Sequence, residues 1–542
     1  MITKMKNRFI HTIFGLSLGL ASCSGFLDEV PLSNVTDKNY YTTESDAEGA
    51  VNAIYETVGI GSVSQWQGTG NANTPYGGVF YNDYWLSQDL FSDNALHDNW
   101  LYANFDNFSL PETDGKVKTL WYAFYRAINT ANIAIDRIPA IDMDPDKRDH
   151  LVGEARFWRG LLYAEAVKMW GDMPLRLKPS ESVDELFGVE RTDQLTVLGT
   201  AIGDLQFAID NLMDNYRSGY GRADVLMANA VMAKVYLIKA ARTHDTDDYQ
   251  AAADYAYEVI KTGKYDLFPD FADNFIISKK HGIESVVSIN YGGDDLWKSQ
   301  FNVSLLPAEI RQNSPGGNEG PSNANSWIVP TENLYKSFAE GDTRRDATIM
   351  KDFTYSDGST LVFAESAKYP YYFCKFWDRE AEPNGQNSNQ NYPYMRYSEL
   401  LLIYAEALNE CDPGNADILF YLNKIRERAG IPTYGPGPDQ IAVDASDQIA
   451  MRKLIRMERR VELCVEGIRY NDLRRWKEAG NVLNEPVYGM NINATTRDGY
   501  FRRTLLDYKH VYRKAFYFMP VPSWEMDKNP NLVQNPYWST QE

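Results

Sequence analysis

Two segments of the chain combine aromatic rings with short polar side chains, and this combination could recognise a polyhydroxylated ligand. They are residues 93–102 (DNALHDNWLY) and residues 291–297 (YGGDDLW). Indole faces stack on the apolar C–H faces of a sugar ring, whereas carboxylates and amides bind its hydroxyls. The predicted stacking platforms are Trp100 and Trp297, and the predicted hydroxyl partners are Asp98, Asn99 and Asp295.

Two further tryptophans are weaker candidates for the same role. Trp66 and Trp327 lie in stretches rich in Gly, Asn and Asp, residues 59–112 and 264–395. Long loop-rich stretches in a compact protein are uncommon and usually functional. The alternative for each tryptophan taken singly is packing between a loop and the scaffold.

A ladder of three carboxylates is the strongest hint of catalysis. Glu458, Glu462 and Glu466 follow one another at one helical turn, a rise of about 5.4 Å, close to the roughly 5–5.5 Å between the carboxyl groups of a retaining glycosidase. Four arginines interleave with them, which favours an ion-pair network that fixes helix packing. We therefore predict no catalytic residue.

Cofactor and metal motifs are missing from the sequence. The histidines lack ligand spacing, and no nucleophile elbow or phosphate-binding loop is present. Asp142, Asp144 and Asp146 lack the glycine and glutamate of a calcium loop and instead predict an acidic turn before a helix. The sequence thus predicts no cofactor and no metal site. Three widely spaced cysteines are predicted to be small buried side chains: Cys374, Cys411 and Cys464.

The chain begins with a leader pattern. A basic start at residues 4–8 precedes an apolar stretch, residues 9–21, which fits a signal-peptide core and is too short to span a membrane. Cys23 follows, so the leader resembles that of a bacterial lipoprotein, in which this cysteine is acylated. We predict residues 1–22 as a signal peptide and Cys23 as the lipidation site. An ordinary secretion signal with an incidental cysteine is the alternative.

Composition excludes several classes of protein. The chain has 542 residues, with 74 acidic and 54 basic side chains and a net charge of −20. That charge argues against a nucleic-acid partner and against electrostatic adhesion to anionic lipid, since both need clustered Lys and Arg. A hydrophobic content of 44% is ordinary for a globular protein and excludes bulk disorder.

Helical patterns surround the two loop-rich stretches. Residues 127–135, 201–209 and 252–260 share a spacing of Ala and Ile that is typical of tetratricopeptide helices, in which small residues allow close approach. Residues 151–169 and 223–241 read as their partner helices. Helix is predicted again over residues 398–428 and 448–477, and a short strand over residues 286–289. Trp121, Trp158, Trp170 and Trp476 fall in these helices and are predicted to be core residues.

At this point the chain resembles the SusD/RagB family of outer-membrane nutrient-binding lipoproteins. The resemblance is stepwise, covers nearly the whole length and lies in ordered motifs. These are residues 26–31 (FLDEVP), 154–159 (EARFWR), 170–175 (WGDMPL), 394–407 (YMRYSELLLIYAEA), 422–430 (LNKIRERAG), 458–463 (ERRVEL), 466–469 (EGIR), 472–476 (DLRRW), 520–522 (PVP) and 529–536 (NPNLVQNP).

The resemblance implies a mainly α fold: a superhelix of tetratricopeptide-like helix pairs with a loop-rich, irregular ligand-binding part packed on it. It divides the chain after the signal peptide into a helical-repeat region (residues 23–263, with the loop insertion 59–112), a loop-rich region (264–395) and a C-terminal helical region (396–542). In the family, the glycan platform is built from loops at about the two places identified above.

The resemblance also implies a function. Family members are not enzymes; they bind oligosaccharides or other nutrients and deliver them to a SusC-like TonB-dependent transporter. We expect a lipid-anchored outer-membrane protein that faces the cell surface. Periplasmic display stays open, because four residues separate Cys23 from the first acidic residue, Asp28. The alternatives are a receptor for peptides or another non-glycan nutrient and, less favoured, a glycoside hydrolase.

Overall fold

The computed structural model of the chain describes most of its length. The described residues are 41–59, 77–180, 182, 185, 187–213, 221–292, 299–321, 324–379, 388–477, 479–483, 488–489, 504–505 and 518–536.

Ten helices of nine residues or more form the framework of the described part, as the sequence predicts for a mainly α fold. They are α1 (Glu44–Gly59), α2 (Asn82–Leu90), α3 (Gly115–Arg137), α4 (Pro145–Trp170), α5 (Gln194–Asn211), α6 (Val225–Thr243), α7 (Thr246–Ile260), α8 (Tyr397–Cys411), α9 (Ala416–Arg428) and α10 (Gln448–Glu462).

All of these helices except α2 form one array in which each packs on the next. α1 contacts α3, and contacts then run in order from α3 through to α9, while α10 packs on α8. Small side chains allow the close approach: a Cβ atom on Gly160 of α4 would lie 2.9 Å from the carbonyl oxygen of Ala201 in α5. The predicted array of helix pairs is therefore confirmed.

Acidic side chains begin many of these helices. Asp144 accepts a hydrogen bond from the N–H of Lys147 at the start of α4, which confirms the predicted acidic turn, and Asp193 accepts from Leu195 and Thr196 at the start of α5. Such caps satisfy backbone donors that have no partner within the helix and place negative charge at the positive end of its dipole. Part of the acidic excess is thus structural. The other helices capped by Asp or Asn side chains are α3, α6, α7, α9 and α10.

The loop-rich region leaves the array at the end of α7 and returns at α8. α7 and α8 nevertheless pack together directly, so residues 261–396 form an excursion from a continuous helical stack. Its described residues hold only short elements. The helices are Phe271–Phe275, Ile277–Lys279, Phe301–Leu305, Glu309–Gln312, Glu332–Ser337, Thr343–Thr348 and Phe363–Ser366.

Short antiparallel strand pairs tie this excursion together. β2 (Ser285–Ile289), which includes the predicted strand, pairs with β8 (Tyr392–Arg396) immediately before α8. β1 (Ala95–His97) pairs with β3 (Ile328–Pro330) and so joins the two loop-rich stretches of the sequence. The other strands are β4 (Ile349–Met350), β5 (Asp352–Thr354), β6 (Thr360–Val362), β7 (Tyr372–Phe373), β9 (Tyr488–Gly489) and β10 (Thr504–Leu505).

The other short helices lie outside this region. They are Trp100–Tyr102, Ala103–Asp106, Ile138–Ala140, Arg469–Arg475, Ala479–Leu483 and Ser523–Lys528.

Three elements differ from the sequence predictions. Residues 82–90 form a helix inside a stretch predicted as loop, and Trp85 on it is buried in the main core. This helix is buried on nearly all sides, so it lacks the apolar stripe by which amphipathic helices are recognised. The helix predicted over 398–428 is interrupted at residues 412–415, where α9 begins with an Asn415 cap. The helix predicted over 448–477 is likewise interrupted, at residues 463–468, between α10 and the short helix Arg469–Arg475.

The predicted buried side chains are partly confirmed. Trp121, Trp158 and Trp170 are buried, whereas Trp476 is half-buried and donates from its indole nitrogen to Glu406 at 2.7 Å. Cys464 is buried, but Cys374 and Cys411 are only half-buried.

A buried ion-pair network joins α10 to the loop-rich region, as the carboxylate ladder indicates. Glu462 is fully buried and accepts from Arg344 (3.1 Å), Arg396 (2.9 Å) and Arg428 (2.7 Å). Glu458 binds Arg344 (2.5 Å) and Arg426 (3.0 Å), and Glu466 binds Arg396 (2.7 Å) and Lys375 (2.6 Å). Three of the five cations come from the loop-rich region, namely from the helix Thr343–Thr348, from the residues after β7 and from β8. The other two, Arg426 and Arg428, come from α9.

The partners in this network differ from those the sequence suggests. Arg459, which lies next to Glu458 in the chain, pairs with Asp472, and both Arg460 and Arg469 pair with Asp93. The interleaved arginines therefore point away from the carboxylate ladder and bind other segments. A single sequence cannot reveal these partners, because they come from distant parts of the chain.

Removing the charge of Glu462 should destabilise the fold strongly. Glu462→Gln keeps the shape of the side chain but leaves buried guanidinium groups short of a counter-charge, so we expect a loss of about 3–5 kcal/mol in the free energy of unfolding. Denaturant unfolding measures it. The matched control is Glu410→Gln, which breaks a partly exposed pair with Arg452 and should cost less than about 1 kcal/mol. Equal losses in both variants would contradict a central role for the network.

The same network predicts loss of stability in acid. Burial alone would raise the pKa of Glu462, but Arg428, Arg396 and Arg344 outweigh it and hold that pKa well below its usual value. The stabilisation is therefore fully present above the unfolded pKa of about 4.3 and is lost as the pH falls toward the folded value. The free energy of unfolding, measured from pH 6 to pH 2.5, should fall more steeply in the wild type than in Glu462→Gln.

Candidate functional site

The candidate site lies where β1 ends. Asn99 accepts a hydrogen bond at its side-chain oxygen from the N–H of Leu101 (3.0 Å) and so caps the short helix Trp100–Tyr102. This sharp turn directs the chain outward before it returns to the core at Tyr102. Among the described residues, the side-chain NH₂ group of Asn99 has no protein partner and can donate to a ligand.

Trp100 stands out at the tip of this turn. Its exposed fraction is 80%, whereas its neighbour Tyr102 is buried, and Leu101 beside it is 46% exposed. Together with Leu101, the exposed ring forms a small apolar surface that a ligand can reach. The indole face is therefore accessible from solvent, and the stacking of Trp100 on a ligand ring stays a prediction.

Asp98 holds the turn in place. Its carboxylate forms an ion pair with Lys368 and accepts a hydrogen bond from the hydroxyl of Tyr369 at 2.7 Å, and Ser326 approaches at 3.4 Å. These contacts fix the position of Asp98 and therefore of the turn that carries Trp100. Its predicted binding of ligand hydroxyls stays a prediction.

Trp327 lies at the same end of the β1–β3 pair as this turn. Its backbone carbonyl accepts from the N–H groups of Asp98 (2.8 Å) and Asn99 (3.3 Å), which extends the pairing beyond β3. The Trp327 ring is half-buried and packs on Tyr102, with 5.7 Å between ring centroids. The two loop-rich stretches thus bring Trp100 and Trp327 to one place, although Trp327 presents only part of its ring.

Tyr102 forms the rigid base of the site. It donates to Asp83 (2.8 Å), and the ammonium group of Lys116 lies 4.0 Å from its ring centroid. Burial, and then the charge of Asp83, raise the pKa of Tyr102 well above its usual value, so the phenol stays protonated as a donor. A base held by these contacts costs little further ordering when a ligand binds.

Four predicted positions lie outside the described residues: Trp66, Trp297, Asp295 and Cys23. Sequence reasoning missed the exposed Leu101, which adds apolar surface beside Trp100, and the pair Lys368 and Tyr369, which anchor Asp98. Leu101 directly follows a predicted platform and could have been found from that position. Lys368 and Tyr369 carry no such signal.

The carboxylates that could suggest catalysis lie within the buried ion-pair network. The carboxylates Glu458, Glu462 and Glu466 are buried among cations and cannot reach a substrate. In the described part of the chain, no group of three or more His, Cys, Asp or Glu side chains is placed to hold a metal ion. Among the described helices, none combines the length and the hydropathy required to cross a membrane.

Comparison with known proteins identifies the family. A model of the SusD family matches residues 229–538, more than half of the chain. The chain belongs to the SusD family. A second family model, described as "Starch-binding associating with outer membrane", matches residues 31–237. The SusD family resemblance read from the sequence motifs is therefore confirmed.

Individual SusD-like proteins are similar to this chain over nearly its full length. The chain is 27% identical to SusD-like protein P2 of Formosa agariphila, covering 97% of this chain and 98% of that protein. The fold is similar to that of a SusD-like carbohydrate-binding protein from Bacteroides fragilis, with a TM-score of 0.74, 20% identity, and coverage of 91% and 100%. A laminarin-binding SusD-like protein gives a TM-score of 0.70 at 22% identity, with coverage of 92% and 100%. At these identities the solved structures establish the fold alone.

Because Trp100 is exposed, we predict that its side chain contributes little to the stability of the fold. Trp100→Ala should change the free energy of unfolding by less than about 0.5 kcal/mol, because the ring makes few contacts in the folded state. Tyr102→Ala, two residues away, should cost about 3 kcal/mol or more, since that ring is buried and its hydroxyl is bonded to Asp83. Chemical denaturation of both variants measures this. A large loss for Trp100→Ala would mean that its ring is packed in solution.

Proposed function

We propose that this SusD family protein is a non-catalytic receptor that captures an oligosaccharide or polysaccharide at the outer membrane. One observation carries the proposal: the freely exposed indole of Trp100, held on a rigid turn beside the available amide of Asn99. Glycan binding is also what the names of related proteins describe, since one neighbour in fold binds laminarin and another is called a carbohydrate-binding protein.

Recognition combines stacking with hydrogen bonding on a largely preformed surface. Trp100 stacks on the apolar face of a sugar ring, and Asn99 donates to a hydroxyl. Trp327 extends this platform, and Trp297, Asp295, Trp66 and the carboxylate of Asp98 complete it. Because one exposed ring and a few polar groups supply moderate affinity, the glycan can be released again.

The bound glycan passes to a SusC-like TonB-dependent transporter in the same membrane. Lipidation of Cys23 holds the receptor there, because several acyl chains on one residue anchor a protein stably. The net charge of −20 supports a lipid and protein attachment over an electrostatic one. The matching family description of association with the outer membrane supports this location.

Removal of the Trp100 ring should weaken glycan binding without harming the fold. The purified protein is tested by affinity electrophoresis against laminarin, starch, xylan, mannan and pectin, and the affinity for the glycan that retards it is then measured by calorimetry. We expect Trp100→Ala to lower that affinity about tenfold, equivalent to about 1.4 kcal/mol.

The matched control is Phe420→Ala, which removes another strongly exposed ring, 61% exposed, from α9. Its glycan affinity should equal that of the wild type. Retardation by none of the polysaccharides, together with binding of peptides, would overturn the glycan receptor. Release of reducing ends by the pure protein would instead support a hydrolase.

The lipid anchor predicts a change of location. Cys23→Ala removes the acylated residue, so the protein should move from the membrane fraction to the soluble fraction, as followed by immunoblotting of fractionated cells. Cys464→Ala, at a buried position in the core, should leave the location unchanged. Retention of Cys23→Ala in the membrane after a salt wash would contradict anchoring by lipid.

A further inference from the structure

A surface that combines cations with an aromatic ring lies on one face of α3. Lys118, Tyr122 and Arg126 follow one another at intervals of four residues, so their side chains are neighbours on the helix. Tyr122 is 40% exposed, and the two cations are half-buried. Lys528, the last residue of the short helix Ser523–Lys528, is exposed. We call these four residues the basic surface.

The indole of Trp524 connects Lys528 to α3. The ammonium group of Lys528 lies 3.8 Å from the centroid of this ring, and that of Lys118 lies 4.8 Å from it. Such contacts hold an ammonium group near an aromatic ring without neutralising its charge. Trp524 therefore brings together two positive charges from distant parts of the chain.

The cations of the basic surface lack carboxylate partners within the described ranges. No ion pair joins Lys118, Arg126 or Lys528 to an Asp or Glu side chain there. The contrast with the same helix is direct, because Lys116 pairs with Asp83 at 3.0 Å. The charges of the basic surface thus remain available to a ligand.

One carboxylate, Glu525, lies near these lysines. Burial raises the pKa of Glu525, and Arg176, Lys528 and Lys118 lower it only in part. Glu525 is a single negative charge beside both Lys118 and Lys528, so positive charge remains in excess at this place. Two ammonium groups held near one ring repel each other, and an anion bound between them relieves that repulsion.

The basic surface adjoins the turn that carries Trp100. The N–H of Ser523 donates to the carbonyl oxygen of Glu112 at 3.0 Å, which holds the short helix Ser523–Lys528 against the residues just before α3. In the first turn of α3, Lys116 lies over the ring of Tyr102, the base of the candidate site. Both surfaces therefore lie at the beginning of α3, and one polysaccharide chain can extend from one to the other.

We propose that the basic surface binds the carboxylate or sulfate groups of an acidic polysaccharide whose neighbouring sugars occupy the Trp100 surface. Lys118 and Lys528 bind the acidic group, and Tyr122 contacts the apolar face of the sugar ring that carries it. The saccharide nature of the ligand rests on the proposed receptor function, whereas its negative charge rests on the cations of the basic surface.

The test compares polysaccharides that differ only or mainly in charge. The matched pairs are polygalacturonate with its methyl ester, dextran sulfate with dextran, and carboxymethyl cellulose with hydroxyethyl cellulose. In affinity electrophoresis, at least one acidic member should retard the protein more than its uncharged counterpart does. This excess should shrink as NaCl is raised from about 50 to about 500 mM, because salt screens exposed charges.

Two variants connect this preference to the basic surface. Lys118→Gln combined with Lys528→Gln should weaken binding of the acidic polysaccharide about tenfold and leave binding of the uncharged one as in the wild type. Tyr122→Ala removes the exposed ring and should weaken binding of the acidic polysaccharide as well.

The matched control is Lys261→Gln combined with Lys453→Gln. Both lysines are exposed, at the end of α7 and on α10, and their removal changes the net charge by the same amount. This control should keep the full preference for the acidic polysaccharide, and thermal unfolding should show that all variants fold.

Two outcomes would overturn the basic surface as a binding site. One is equal retardation by the acidic and uncharged members of every pair, and the other is an equal loss of binding in the lysine variant and its control. If uncharged polysaccharides still retard the protein through Trp100, the proposed receptor function stands without the basic surface. Retardation by no polysaccharide at all would strike both proposals.

Discussion

The side chain of Arg396 binds three carboxylates that come from separate parts of the chain. Its guanidinium binds Glu462 at the end of α10, Glu466 just beyond it, and Glu284 directly before β2. Arg396 itself closes β8, where the loop-rich excursion rejoins the helical array. Because all four groups are buried, each charge is tolerable only while the others are present. The network therefore fixes the geometry of the junction as much as its stability.

The candidate site depends on the same C-terminal segment through a second set of ion pairs. Arg460 and Arg469 both bind Asp93 (2.8 Å each), and Arg460 also donates to Asn94. Asp93 and Asn94 directly precede β1, and β1 ends at the turn that carries Trp100. Burial alone would raise the pKa of Asp93, but the two arginines lower it, so the anchor keeps its charge. The exposed ring of Trp100 thus follows a strand, β1, whose start is fixed by buried ion pairs.

The sequence predicts the architecture well and the site only in part. Periodic Ala and Ile spacings locate α3, α5 and α7 because those helices are buried on one face, whereas α2 is hidden because it is buried on nearly all sides. Trp100 is predicted from the mixture of rings and polar groups around it. The anchoring of Asp98 by Lys368 and Tyr369 is not predictable, since the pairs span about 270 residues and each strand of β1–β3 is three residues long.

An exposed tryptophan on a rigid base is a good arrangement for a receptor that must release its ligand. The base at Tyr102 and Asp98 is ordered before binding, so little conformational entropy is lost when a sugar ring stacks on the indole. A single exposed platform also leaves most of the glycan in water, which limits the affinity and favours transfer. A longer chain gains strength by engaging further rings at once, because each additional contact is then intramolecular. A receptor of the proposed kind therefore gains selectivity for long glycans from weak contacts that are well positioned and repeated, and it needs no deep pocket for this.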